Sequence, residues 1–423
     1  MGARDLNITA PAPGPGPATA LGLYVHVPFC ATKCPYCDFN TYARIEDLIP
    51  DYVGALGNEI ATWGAALGRP SLATVFYGGG TPSYLPPDQF MRLAHCVEAA
   101  FRVMPGAEIT VEANPDDCSP AKLASLLDAG ANRISIGVQS LDDTLLRRLG
   151  RRHDSKQALG AVREARAAGF DNLSVDLMFG LPHQSQATWE STVHQVLESA
   201  PDHVSMYALT IEPATPFAAL VQAQELPEPD PDRAADMYEF ACEAMESAGF
   251  RHYEISNWAK PGRASRHNLI YWRNSYYLGV GPGAHSFLPG VRFADLKSPR
   301  EYVRRAGSLT PELANGVSWV EAAPDVVRAL EAAGVIGSSE RISRSLEMAE
   351  TMMMGLRLDQ GVGNAQFQAR FGQNLAETYP SEIADLTRLG LLEQDAEGLR
   401  LTTRGRLLGN EVFGRFVMTA QPA

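Results

Sequence analysis

The chain has 423 residues, 45% of them hydrophobic, and a formal net charge of −13, a length at which one large domain with a smaller companion is predicted. The acidic balance excludes a protein that works by neutralising nucleic-acid phosphates, which needs clustered Lys and Arg. No run approaches the ~18 apolar residues of a membrane span, and the first twenty residues lack the basic start and apolar middle of a secretory signal, so a cytoplasmic protein is predicted.

Residues 1–20 carry Pro11-Ala12-Pro13-Gly14-Pro15-Gly16-Pro17, a composition that buries nothing and predicts a Pro/Gly/Ala-rich disordered tail. From Leu21 the chain alternates short β-branched runs with amphipathic stretches, the pattern of βα units and a parallel sheet. Strands are predicted at Leu21–Val27, Ala73–Tyr77, Glu108–Glu112, Arg133–Val138, Leu173–Met178 and His203–Leu209. Helices at Pro86–Arg102, Pro120–Ala129, Lys156–Ala168 and Ala187–Ala200 lie between them. Six such units make an α/β fold, a partial (βα)6 barrel over residues 21–250. After a Pro- and acid-rich loop at 226–232 and a helix Arg233–Ala248, residues 251–305 are read as an extension of the barrel. Residues 306–423 are read as a helical C-terminal domain ending in helix Ser381–Leu389, a two-stranded wing at 391–401 and helix Thr402–Phe416. That outline is winged-helix-like, but acids interleaved with its arginines argue against DNA.

The chemistry starts at Cys30, Cys34 and Cys37, spaced C-x3-C-x2-C directly after the first strand. Three thiolates can hold three irons of a [4Fe-4S] cluster and leave the fourth open to a small chelating molecule. Structural zinc is the alternative, though it prefers C-x2-C pairs and a fourth ligand. Cys96, Cys118 and Cys242 are scattered and read as packing thiols. Ligands of a parallel barrel bind at the C-terminal ends of its strands. There the sequence places Gly78-Gly79-Gly80-Thr81-Pro82, whose exposed backbone permits close approach of a ligand. Glu112 ends the third strand, suited to two ribose hydroxyls, and Gln139 ends the fourth. One of Arg147, Arg148, Arg151 and Arg152 can pair with a ligand carboxylate. Asp176 sits among apolar neighbours and needs a partner or a ligand.

The run Leu23–Cys30, the Gly78–Pro82 turn, Glu112-Ala113-Asn114-Pro115, Ile136–Ser140 and Asp176–Pro182 closely resemble the radical S-adenosylmethionine (SAM) branch that contains oxygen-independent coproporphyrinogen III oxidase and the HemW haem chaperones. In that superfamily the amine and carboxylate of SAM bind the open iron, and one electron from the cluster splits a carbon–sulfur bond of SAM. The resemblance implies Cys30, Cys34 and Cys37 on the cluster and Tyr24, Gly79, Gly80, Thr81, Glu112, Gln139, Arg151 and Asp176 on SAM, with Tyr36 packed on the adenine.

Two functions fit this branch. The oxidase pattern has a fourth cysteine two positions after the third, where this chain has Phe39, and a longer N-terminal segment before the cluster, where here a low-complexity tail of about twenty residues precedes the barrel. His267-Asn268-Leu269-Ile270-Tyr271-Trp272 resembles the H-N-x-x-Y-W motif associated with haem in the chaperones; His267 offers an imidazole nitrogen, and Tyr271 and Trp272 flat apolar faces. Asn268 or Tyr271 is an alternative structural determinant, and His285 and His26 are secondary candidates for the haem iron. The reading is therefore a haem chaperone that passes haem to apo-haemoproteins, with the oxidase second and no catalytic residue singled out. Cluster and SAM are expected to gate transfer by ordering the Cys30–Tyr42 loop or stabilising a homodimer. The electron donor is unknown from the sequence.

Overall fold

The computed structural model describes residues 20–311 and 318–418; the Pro/Gly-rich stretch at 11–17 lies outside the described residues. The chain runs β1 (Leu21–Val27), α1 (Ile49–Ala66), β2 (Ser71–Gly79), α2 (Pro87–Ala100), β3 (Arg102–Ala113) and α3 (Pro120–Asp128). Next come β4 (Arg133–Gln139), α4 (Asp143–Arg148), α5 (Ser155–Ala168), β5 (Leu173–Phe179), α6 (Gln186–Glu198) and β6 (His203–Ala208). These six strands are parallel and adjacent in chain order, the partial barrel that the alternating pattern predicts. Caps fix the helices: in α5, Asp154 accepts from the Gln157 N–H (2.8 Å), the Gln157 side chain accepts from the Asp154 N–H (3.0 Å), and Gly169 ends the helix at φ +117°.

After α7 (Pro216–Gln222) and α8 (Pro231–Ser247) the chain lengthens the sheet at both edges. β7 (Arg251–Glu254) and β8 (Asn257–Ala259) extend the β6 side, and α9 (Arg266–Trp272) crosses to β9 (Tyr277–Val280), parallel to β1. β10 (His285–Leu288), β11 (Val291–Asp295), α10 (Pro299–Ala306), α11 (Trp319–Ala332) and β12 (Ile336–Arg341) follow. The sheet has twelve strands among the described residues, in the order β12-β11-β10-β9-β1-β2-β3-β4-β5-β6-β8-β7.

Period two sorts the strand residues. Leu23, Val25, Val75, Ile134, Val175 and Val204 are fully buried in the large hydrophobic core. The alternate set, including Thr74, Arg133, Ser135, Asp176 and Ser205, faces the barrel lumen.

The last unit comprises α12 (Arg344–Gly355), β13 (Val362–Gly363), α13 (Asn364–Phe371), α14 (Leu375–Thr378) and α15 (Pro380–Arg388). The hairpin β14 (Leu392–Gln394) and β15 (Gly398–Leu401), then α16 (Thr403–Leu407) and α17 (Gly409–Met418), complete it around a second core from Met348 to Phe416. Two expectations are corrected. The smaller core starts at Met348, not at 306: Trp319, Ala323, Val327 and Leu330 of α11 join the main core, and β12 is its edge strand. The charged residues there belong to the outer face of α11 and to an edge strand that charge protects from further pairing. The single helix expected over Thr402–Phe416 breaks at Leu408 (φ −108°, ψ 27°), just before Gly409.

Trp63 of α1 stacks on Phe293 of β11 at 5.4 Å and is fully buried, joining the first helix to the antiparallel extension. Trp63→Ala should lower the unfolding free energy by ~3–5 kcal/mol in urea titration, and Trp63→Phe by much less, since the stack survives.

Candidate cofactor site

A cavity of about 540 Å³ opens at the C-terminal mouth of the barrel and continues down its lumen to α9. That volume lies within the ~300–1,000 Å³ usual for small-molecule and cofactor sites. Cys30, Cys34 and Cys37, all free and half-buried, line its upper wall. The loop that carries them is held at several points. Cys30 N donates to Tyr42 O (2.9 Å), Tyr42 N to Pro28 O (2.8 Å) and Cys37 N to Cys34 O (3.1 Å). Asn40 Nδ2 reaches Pro282 O (2.7 Å) and Lys297 O (2.9 Å), and Phe217 N donates to Pro35 O (3.0 Å). Among the described residues no three His, Cys, Asp or Glu side chains are placed to share one metal ion. Three thiols spread along one loop fit a cluster that takes each sulfur at a different iron.

The glycine turn closes the opposite wall. Gly79 has φ +109°, and a Cβ there would lie 2.5 Å from the His26 ring; a Cβ on Gly80 would meet the Phe29 and Val27 carbonyl oxygens at 2.6 and 2.8 Å. Gly79 N donates to Glu112 Oε2 (3.1 Å). Gln139 ends β4 at φ +67°, a strained backbone for a non-glycine residue and one that faces the cavity. Of the four candidate arginines, Arg151 alone lines the cavity. Its Nη2 donates to Asn114 Oδ1 (2.6 Å) and Gly137 O (2.7 Å), and its Nη1 lies 3.7 Å from Cys34 Sγ. Arg152 pairs with Asp116, and Arg147 turns to Thr144. Asp176 has its partner in Ser135, whose hydroxyl sits 3.0 and 3.1 Å from the two carboxylate oxygens. Tyr24 and Tyr36 also line the cavity. Phe39, 65% exposed, stands at its rim.

The α9 motif divides between two places. His267, Asn268 and Tyr271 line the lower cavity, whereas Trp272, one helical step on, faces away and lies under the Arg357 guanidinium at 5.0 Å. Trp272 is therefore a contact of the C-terminal unit and not of the cavity. His267 accepts or donates at both ring nitrogens, Nδ1 with Thr74 Oγ1 (2.7 Å) and Nε2 with the Tyr271 hydroxyl (2.9 Å). Burial, and then the charge of Arg133, push its pKa down to about 3, so the ring is neutral. His26 is likewise engaged at both nitrogens, by Tyr24 and the Asn40 carbonyl. His285 is exposed beside the loop whose Gly283 abuts Asn40.

Sequence reasoning missed the lumen's other polar residues, Arg133, Ser135, His203, Ser205 and Asn257. The signal was present as polar residues at every second position of β4, β5 and β6. Burial, then the nearby Asp176, raise the Glu112 pKa from 4.5 to about 7. A carboxyl with a raised folded pKa stabilises the fold below its unfolded pKa and loses that contribution as pH rises through the folded one. Glu112→Gln should therefore gain stability relative to wild type between pH 4.5 and 7 and hold that gain above pH 7. Thermal melts of the ligand-free protein read this difference, which should reach the order of 3 kcal/mol.

The comparisons bear on this geometry. A radical SAM superfamily model matches residues 24–196, and a HemN C-terminal domain model matches 342–408. "Heme chaperone HemW" of Bacillus subtilis is 37% identical over 395 residues, covering 93% of this chain and 98% of that protein. HemW of Mycobacterium tuberculosis is 36% identical (92% and 93% covered), and the mitochondrial radical S-adenosyl methionine domain-containing protein 1 of Mus musculus is 37% identical (90% and 84%). The structure of coproporphyrinogen III oxidase (HemN) from Escherichia coli shares the fold, with a TM-score of 0.79 at 23% identity over 96% of this chain and 91% of that one. With identity at this level from end to end of its relatives, the chain belongs to the HemW family of radical SAM proteins.

Proposed function

We propose that this protein is a haem chaperone that binds haem and passes it to apo-haemoproteins, with a [4Fe-4S] cluster and SAM held in the barrel mouth. The observation that carries the reading is that His267, Asn268 and Tyr271 line the same cavity as Cys30, Cys34 and Cys37. Cys30, Cys34 and Cys37 take the cluster, which with SAM on its open iron supplies one-electron chemistry. Tyr24, Tyr36, Gly79, Gly80, Thr81, Glu112, Gln139, Arg151 and Asp176 hold SAM: the Gly79–Thr81 backbone and Glu112 offer a wall of acceptors, and Arg151 keeps the Cys34 side of the loop in place. At the other end, His267 presents a neutral ring stacked on Phe76 (5.2 Å) and Tyr271 an edge-on ring, so the tetrapyrrole meets aromatic walls. Ligation of the iron by His267 would take one ring nitrogen and break its hydrogen bond to Tyr271 or to Thr74, which favours contact over ligation. Among the described residues no helix is long and apolar enough to cross a membrane; the site of action in this reading is the cytoplasm. The cluster and SAM act as a gate by ordering the Cys30–Tyr42 loop or through a homodimer, with an electron donor of unknown identity.

The test is anaerobic and has two arms. Protein with a reconstituted cluster should bind haem and transfer it to an apo-haemoprotein such as apomyoglobin. Given SAM, reductant and coproporphyrinogen III, it should form no protoporphyrinogen IX by mass spectrometry. Product that disappears in Cys34→Ala would make the protein an oxidase despite Phe39, and absence of haem transfer would remove the chaperone reading.

A further inference from the structure

Arg133 opens β4 at the closed end of the lumen, 2% exposed, with its side chain on the cavity wall. A guanidinium carries five N–H donors and is always charged. Among the described residues it makes no hydrogen bond or ion pair, and its Nε is buried without a partner. A buried guanidinium without a hydrogen-bond partner is strongly unfavourable, so its donors favour an acceptor that enters the lumen. The acids around it are engaged elsewhere. Glu108 accepts from the Arg266 and His267 N–H groups (2.9 Å each), Asp176 from Ser135, and Glu112 from Gly79. His203 and His267 are neutral, each hydrogen-bonded at both ring nitrogens: His203 to Ser174 and Tyr253 (2.8 Å each), His267 to Thr74 and Tyr271. The closed end thus presents a guanidinium that no carboxylate touches: Glu112 and Asp176 act on it only through space, and its Nε has no acceptor.

We propose that Arg133 anchors a carboxylate of the ligand that enters the lumen, and that this carboxylate is a propionate of the tetrapyrrole. The inference rests on the haem-binding reading and deepens it. SAM also carries a carboxylate, but SAM on the cluster would leave it at the barrel mouth, and Arg133 starts the strand that Gln139 ends, ~20 Å away at about 3.3 Å per residue. A propionate on a ring held against His267 and Tyr271 is delivered to the correct end. The planar guanidinium fork can take both its oxygens.

The experiment compares haemin with haemin dimethyl ester, titrated into full-length, cluster-reconstituted protein and followed by the Soret band. Wild type should bind haemin at least tenfold more tightly than the ester, and Arg133→Gln should reduce the preference to about twofold or less. Arg133→Lys, which keeps the charge but not the fork, should fall between. Equal binding of haemin and ester by wild type overturns the anchor and leaves haem binding standing, whereas binding of neither porphyrin overturns both. A preference that survives in Arg133→Gln, or a variant that weakens SAM while haemin is unaffected, also overturns the propionate assignment. Should Arg133→Gln fail to fold, the wild-type comparison and Arg133→Lys decide the matter.

Discussion

The guanidinium of Arg151 ties together three parts of the molecule that the chain delivers separately: Cys34 on the loop after β1, Asn114 after β3 and Gly137 within β4. Its fixed fork sets the distance between the cluster loop and the strand ends, which a flexible lysine would not do. Asn114 extends the chain of contacts to Thr81 (3.1 Å), and Thr81 to Cys30 Sγ (3.6 Å). The glycine turn, two of the thiols and the ends of β3 and β4 therefore move as one body. The other wall of the loop is fixed independently by Asn40 on the 282–297 segment, so the cysteines are held from both sides.

This rigidity is needed because the lumen gives little packing of its own. Parallel barrels are normally filled by branched apolar side chains; here the inward positions hold hydroxyls, carboxyls, histidines and Arg133 beside the aromatic rings of Tyr24, Phe76 and Tyr207 and the side chain of Met178. The apolar contribution comes almost wholly from the outer faces of the strands, against α1, α2, α3, α5, α6 and α8. Apart from Arg133 and Thr110, much of the polar interior is satisfied in pairs, Thr74 with His267, Ser174 with His203, and Ser135 with Asp176. Those pairs hold the acids and imidazoles in defined rotamers while keeping the space between them open for ligands.

The architecture was legible because its signals are local. The six parallel strands follow from β-branched runs at regular spacing, and the gathering of Cys30, Cys34 and Cys37 at one cavity follows from their closeness in sequence just after β1. Spacing alone left four neighbouring arginines open and only the family resemblance pointed to Arg151, since the choice depends on which face of the segment after α4 meets Cys34. Trp272 was misplaced for the same reason: adjacent to Tyr271 in sequence, it is rotated about 100° around α9 and meets Arg357 instead. The boundary of the C-terminal unit was placed too early because composition reports the solvent face of α11, while its buried face is what assigns it to the main core.

Helix α9 joins the barrel floor, the lumen and the C-terminal unit. Its N-terminal N–H groups are capped by Glu108 from the barrel floor, its inner face supplies His267, Asn268 and Tyr271 to the lumen, and its C-terminal residue stacks under Arg357, which also lies over Phe413 at 4.9 Å. The same segment continues to Asn274, whose carbonyl accepts from Arg370 (2.8 Å). A helix of seven residues has little stability of its own. Its position is therefore set by the barrel on one side and by the C-terminal unit on the other, and loss of either support would displace the residues that face the ligand. That dependence gives the C-terminal unit a role in shaping the cavity although none of its own residues line it.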